Sequence, residues 1–135
     1  MAVDHALDIC VSGSKDGTCI VHNLSDGVYV RSIDHPSEYG ISLVHLSSMG
    51  HIVMYSQDDL VLHVFNINGK LLASTGAHER VSCLYISKSA EFLVCGNLDG
   101  TIVVRTLFEY VNMLQSPSCV SPWLTYRIVR VCGVA

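Results

Sequence analysis

Two stretches of the chain set an aspartate ahead of Gly-Thr: Asp16-Gly17-Thr18 and Asp99-Gly100-Thr101. In a loop of the form Asp-x-Asp-Gly-Thr, the first carboxylate can attack phosphorus and carry the phosphoryl group covalently. Here the positions of that first aspartate hold Ser14 and Asn97, so the nucleophile is missing from both copies. Gly13-x-x-x-Gly17-Thr18 lacks the spacing of a phosphate-cradling loop and the Lys after its second glycine. The seven histidines (His5, His22, His35, His45, His51, His63, His78) show no paired metal spacing, and none of the six cysteines forms a Cys-x-x-Cys pair. The zinc template is therefore absent. His63 stands beside Phe65 in an apolar strand pattern, where a packed histidine is the natural expectation. Ser, His and Asp all occur, but a triad is a spatial arrangement that a sequence does not establish. No catalytic, cofactor-binding or metal-binding residue is assigned, and the expectation is a chain that is not an enzyme and uses no cofactor.

The duplication points elsewhere. A third, degenerate copy lies between the two, from Val53 to Phe65, and its aspartate is Asp59. Aligned on Asp16, Asp59 and Asp99, the copies are spaced 43 and then 40 residues apart. Strand-turn-strand units repeating every ~40–45 residues are the signature of propeller blades. The register extends beyond the turn. Ile41, Ser42, Val44, Leu46 and Ser47 map onto Val81, Ser82, Leu84, Ile86 and Ser87 without a gap, and Ile52-Val53-Met54 maps onto Phe92-Leu93-Val94. Asp16, Gly17, Asp59, Asp99 and Gly100 are accordingly read as structural blade turns. Asp-Gly between two apolar runs closes a hairpin because Gly accepts the positive φ of a tight turn.

The elements that hold these turns follow in order. Leu7 to Ser12, Thr18 to His22 and Val28 to Ile33 read as three strands of a first meander that begins at its second strand. Asp34-His35-Pro36-Ser37-Glu38 interrupts the pattern, since Pro removes a ladder donor. A second unit has four strands: Ile41 to Leu46, His51 to Tyr55, Val61 to Phe65 and Lys70 to Ser74. A third repeats the plan with Val81 to Ile86, Glu91 to Cys95, Thr101 to Arg105 and Tyr110 to Leu114. Runs such as Ile52-Val53-Met54 and Ile102-Val103-Val104 are apolar on both faces, as in sheets covered on both sides. The predicted fold is all-β: an incomplete β-propeller of about three blades, each a four-stranded antiparallel meander. The blades are predicted over residues 7–33, 41–74 and 81–114, within a partial propeller at 1–115. Residues 116–135 form a divergent tail without repeat register; either Tyr126 to Cys132 adds a strand and opens a fourth blade, or, as is slightly favoured, the tail is sequence from an abnormal transcript end.

Composition narrows the setting. The chain has 135 residues, 50% of them apolar and 15% charged, with a net charge of −4 at pH 7. That balance excludes a disordered chain and argues against nucleic-acid binding, which needs clustered Lys and Arg. No run approaches the ~18 apolar residues of a membrane-spanning helix. Met1 to Ser12 has no basic region followed by an apolar core, so a reducing, cytoplasmic setting is expected. Cys10, Cys19, Cys83 and Cys95 fall in apolar strand patterns and are expected to be buried as small hydrophobes.

Ser12-Gly13-Ser14-Lys15-Asp16-Gly17-Thr18 resembles the turn between the second and third strands of a WD repeat. Ala77-His78-Glu79-Arg80-Val81 resembles the glycine-histidine segment that opens one, with Ala77 in place of the glycine. The namesake Trp-Asp is absent: its positions hold His22-Asn23, Phe65-Asn66 and Arg105-Thr106. The hydrogen-bonded Asp-His-Ser-Trp set of that family is thus complete in no blade. Asp16 and Ser12 survive in the first, and Asp99 and His78 in the third, where the resemblance gives His78 a structural hydrogen bond.

Leu7 to Cys19, Gly50 to Ser56 and His63 to Lys70 are similar to the C-terminal WD repeats of BEACH-domain proteins, the neurobeachin, beige-like and SPIRRIG group. The resemblance implies a non-catalytic scaffold that binds protein partners in vesicle trafficking and membrane-protein sorting. It places the parent protein in the cytoplasm at the periphery of endomembranes. Propellers close with about four blades or more. Further blades or self-association are therefore expected to cover the open ends; the alternatives are a truncated, non-functional fragment of a larger BEACH-type protein and, less favoured, an enzyme on a β scaffold.

Overall fold

Short polar links between apolar runs turn the chain back on itself, and the computed structural model is built from antiparallel meanders. It describes residues 1–77, 79–88, 91–106 and 126–130. His78 and Tyr110 to Leu114 lie outside the described residues. Among the described residues the strands form three four-stranded sheets, and there is no helix. The chain divides into two compact units, Met1–His78 and Glu79–Ala135.

The first unit holds two sheets. One is ordered β1-β2-β3-β4, from Ala2–Asp4, Ile9–Gly13, Thr18–Asn23 and Tyr29–Asp34. The other is ordered β5-β6-β7-β8, from Leu43–Leu46, His51–Ser56, Val61–Asn66 and Leu71–Gly76. Strand β1 corrects the sequence pattern, which starts this blade one strand later. Ala2, Val3 and Asp4 pair with Val11, Cys10 and Ile9. Three residues running into Asp4 and His5 carry no readable alternation. Their turn is set by local bonding instead: Asp4 Oδ1 accepts the Leu7 N–H at 2.8 Å, and Asp8 turns at φ 55°.

The core between these sheets follows the two-residue period of a strand. Val11, Cys19, Val21 and Ile33 leave one face of the first sheet. They meet Ile41, Leu46, Ile52, Met54 and Phe65. Full burial of Ile52 or Met54 contributes ~1.5–3 kcal/mol each. Gly13 permits the closest approach, since a Cβ there would stand 2.6 Å from Ile41 Cγ2. The linker from β4 to β5 is pinned to the first blade by its backbone. His35 N–H donates to Gly17 O at 2.8 Å, and Ile41 N–H to Ser14 O at 2.9 Å. Arg31 Nη1 also reaches across to the Asn68 carbonyl.

The second unit holds β9 (Val81–Ile86), β10 (Phe92–Asn97), β11 (Thr101–Thr106) and β12 (Tyr126–Arg130), in that order. The outer strand differs from the sequence pattern. Residues 126–130 pair with β11 from Thr101↔Arg130 to Arg105↔Tyr126, filling the edge expected for Tyr110 to Leu114. Residues 126–130 of the tail therefore complete a sheet begun by β9 to β11. A repeat register cannot reveal a strand supplied from outside the repeat. The cysteines also divide: Cys19 and Cys95 are buried, Cys10 is half-buried and Cys83 is exposed. Cys83 pairs with Gly96, whose missing side chain leaves the thiol uncovered on that face.

Candidate functional site

The three repeated turns use their aspartates in one way. Asp16 Oδ1 accepts the Thr18 N–H at 2.9 Å and the Thr18 hydroxyl at 2.6 Å. Asp99 Oδ1 accepts the same two groups of Thr101 at 2.9 and 2.6 Å. Asp59 Oδ1 accepts the Val61 N–H at 3.1 Å; valine offers no hydroxyl, so Oδ1 lacks the second bond of the other two turns. Gly17 and Gly100 take φ of 89° and 87°, and Leu60 holds the corresponding left-handed position at 56°. The hydrogen bonds from Thr18 hold the Asp16 carboxyl below its usual range. A carboxylate tied to its own turn in this way is a backbone cap, poorly placed to attack a substrate.

The middle turn does more. Asp59 Oδ2 lies 3.7 Å from His35 Nε2 and 3.9 Å from His63 Nε2. His35 comes from the linker after the first sheet, and His63 from β7 of the second. Their rings meet edge to face, with centroids 4.7 Å apart. Both are at least nine-tenths buried, and neither Nε2 has a hydrogen-bond partner. His35 Nδ1 accepts the Ser37 N–H at 3.1 Å, while His63 Nδ1 stands 2.7 Å from Ser74 Oγ. Burial, then the neighbouring His35, holds the His63 imidazole below the usual histidine range, against the opposing pull of Asp59. Burial lowers His45 and His51 in the same direction.

Spacing rules for metal sites miss this cluster because one member comes from the linker after the first sheet and two from a hairpin of the second. A usable signal lay in the repeat: His35 precedes Asp59 by 24 residues, much as His78 precedes Asp99 by 21. His63 carries no such mark, since a histidine in an apolar strand reads as packing, and its ring does lie against Phe65. The structure brings Asp59 together with these two histidines and keeps Asp16 apart in its own turn. Asp99 and Gly100 belong to the other unit, and His78 lies outside the described residues.

Beside His35 is an open cleft of about 570 Å³. Asp16, Gly17 and Thr18 form one side, and Asp34, His35 and Glu38 are among the residues of the other. Three carboxylates and no Lys or Arg line it, so it favours cationic groups. A neighbouring cleft of about 480 Å³ runs past Lys15, Gly40 and Ser42 to Gln57 and Asp58.

Comparison with known proteins gives these blades a family. The profile of the neurobeachin β-propeller domain matches residues 1–121. The chain belongs to the neurobeachin β-propeller family. It is 50% identical over 101 residues to the BEACH domain-containing protein B of Arabidopsis thaliana, covering 75% of this chain and 4% of that protein. It is 27% identical over 133 residues to the BEACH domain-containing protein lvsE of Dictyostelium discoideum, covering 87% of this chain and 6% of that protein. The chain thus spans a small part of the relatives it matches. WD-type blades without a Trp-Asp pair are therefore what this part of a BEACH-family propeller looks like here. Among the described residues no helix is long and apolar enough to cross a membrane.

Proposed function

We propose that this chain is a non-catalytic protein-interaction module, part of a BEACH-type propeller that acts as a scaffold in vesicle trafficking and membrane-protein sorting. The observation that carries this reading is the shared role of the three turn aspartates. Asp16, Asp59 and Asp99 each spend an oxygen on the backbone N–H two residues on, which suits a framework better than a nucleophile. Asp16, Gly17, Asp59, Asp99, Gly100 and His78 are then structural blade-turn residues, and function resides on surfaces that the blades present. The acidic cleft favours a protein partner with an exposed Lys or Arg over a nucleic acid. The parent protein would work in the cytoplasm, peripheral to endomembranes.

Affinity capture by the intact propeller that contains these blades tests the proposal, alongside Asp34→Lys/Glu38→Lys, which reverses the cleft. A protein partner retained by the native propeller and lost by the double variant, with unchanged thermal unfolding, is the expected result. Failure to retain any protein overturns it. So does a turnover that Asp16→Ala abolishes while the fold survives.

A further inference from the structure

We propose that His63 is a proton-operated switch that decides whether Asp59 ties the two blades of the first unit together. The cluster has the donor set of a metal site, with three ligand atoms within 4.8 Å of one another, but its hydrogen bonding suits a proton. Because His35 Nδ1 accepts the Ser37 N–H, the neutral ring carries its proton on Nε2. His35 therefore directs an N–H at Asp59 where a metal would need a lone pair. A metal-bound histidine also donates from its other nitrogen, and here that nitrogen accepts.

His63 has a freedom that His35 lacks. Its Nδ1 faces the Ser74 hydroxyl, which can donate or accept. In the neutral ring, the nearby carboxylate favours the tautomer with Nε2–H towards Asp59, and Ser74 donates to Nδ1. Asp59 Oδ2 is then shared between two N–H dipoles, one from each blade. Protonation turns the Ser74 hydroxyl round to accept and puts a positive charge on His63. A charge-assisted bond outcompetes a neutral one. Asp59 closes on His63, four residues along its own hairpin, and withdraws from His35. The buried His35 Nε2–H, which has no hydrogen-bond partner and only the Asp59 carboxylate 3.7 Å away to attract it, then loses that attraction too, which is costly. The linker then loses the pull of Asp59 on His35 and loosens over the acidic cleft.

The titratable groups facing His63 are His35 from the linker and Asp59 from its own turn. The flanking strands β6 and β8 set Met54 and Ser74 opposite it, and neither titrates. Tyr39 meets the His35 ring with centroids 6.2 Å apart. The closed form binds the proton less readily than a free imidazole, so the joint is fully formed above ~pH 6.5 and weakens as the pH falls.

Amide hydrogen exchange in the 135-residue chain tests the switch at about pH 7.5 and about pH 5, corrected for intrinsic exchange. The reporters are the Glu38 and Ile41 amides, which bond to His35 O and Ser14 O. Acidification is expected to lower their protection several-fold, in the direction set by the lowered proton affinity of His63. His63→Gln, which can still bond to Ser74 but cannot titrate, is expected to hold protection constant. Equal acid loss in His63→Gln, or no loss in the native chain, overturns the proposal. If that variant does not fold, the imidazole resonances of the native chain decide. His63 is expected to titrate below ~pH 6.5, and titration at or above that value rejects the switch. Zinc that binds at neutral pH and perturbs His35 and His63 together rejects it in favour of a metal centre.

Discussion

At the residue scale, the repeated turns offer a controlled comparison. Gly17 and Gly100 share a left-handed φ but differ in surroundings. A Cβ on Gly17 would stand 3.2 Å from the carbonyl oxygens of Glu38 and Tyr39, whereas one on Gly100 would meet nothing within 4 Å. The left-handed conformation alone costs an alanine ~1–2 kcal/mol. Urea unfolding should therefore show Gly100→Ala losing about that amount and Gly17→Ala losing more, because its linker must also shift; equal losses would mean the linker yields freely. Cysteine chemistry gives a second comparison. Burial pushes the Cys19 and Cys95 thiols up to about 11, while Cys83 is exposed. Iodoacetamide at mildly alkaline pH should modify Cys83 well before Cys19 or Cys95, read by peptide mass spectrometry. Prior labelling of either buried thiol in the folded chain would contradict its burial. The exposure of Cys83 was not legible in the sequence, since an apolar strand pattern does not say which face is covered. The Asp-Gly-Thr turns were legible because their chemistry is local to three residues. The Asp59 cluster was not, because its members meet only when two sheets pack.

At the element scale, the joint between the first two sheets depends on how closely Gly13 lets β2 approach Ile41 and Val44. An added methyl would stand 2.6 Å from Ile41 Cγ2 and 3.3 Å from Val44 Cγ2. Overpacking of this kind costs ~1–3 kcal/mol. Gly13→Ala should therefore destabilise the chain by that order, and Ile41→Ala by ~2–5 kcal/mol from lost burial. Together they should cost clearly less than their sum, since removing Cγ2 makes room for the new methyl. A double-mutant cycle in urea checks this, and strict additivity would show that the two groups do not meet. The strand order of β2 to β4 and β5 to β8 followed from apolar runs separated by turn residues. The two outer strands did not. β1 is three residues long, and residues 126–130 join their sheet from far along the chain, where periodicity carries no information about pairing.

At the scale of the whole molecule, self-association depends on how a propeller covers its blades. Each blade is buried between two neighbours, and closure takes about four blades or more. The described residues supply three four-stranded sheets, including β6 with Ile52, Val53, Met54 and Tyr55 buried on both of its faces. Among the described residues the first sheet also ends in β4, an unpaired edge where Tyr29 and Val30 are exposed, with Val28 exposed just before it. Unpaired edges and uncovered apolar faces both promote association. The 135-residue chain alone should therefore sediment as species that grow with concentration. Joining the remaining blades of its relatives' propeller in the same polypeptide should return a monomer with a higher Tm. Analytical ultracentrifugation and calorimetry distinguish the outcomes. A chain that stays monomeric at every concentration and melts in one cooperative step would mean that three blades already cover their own faces.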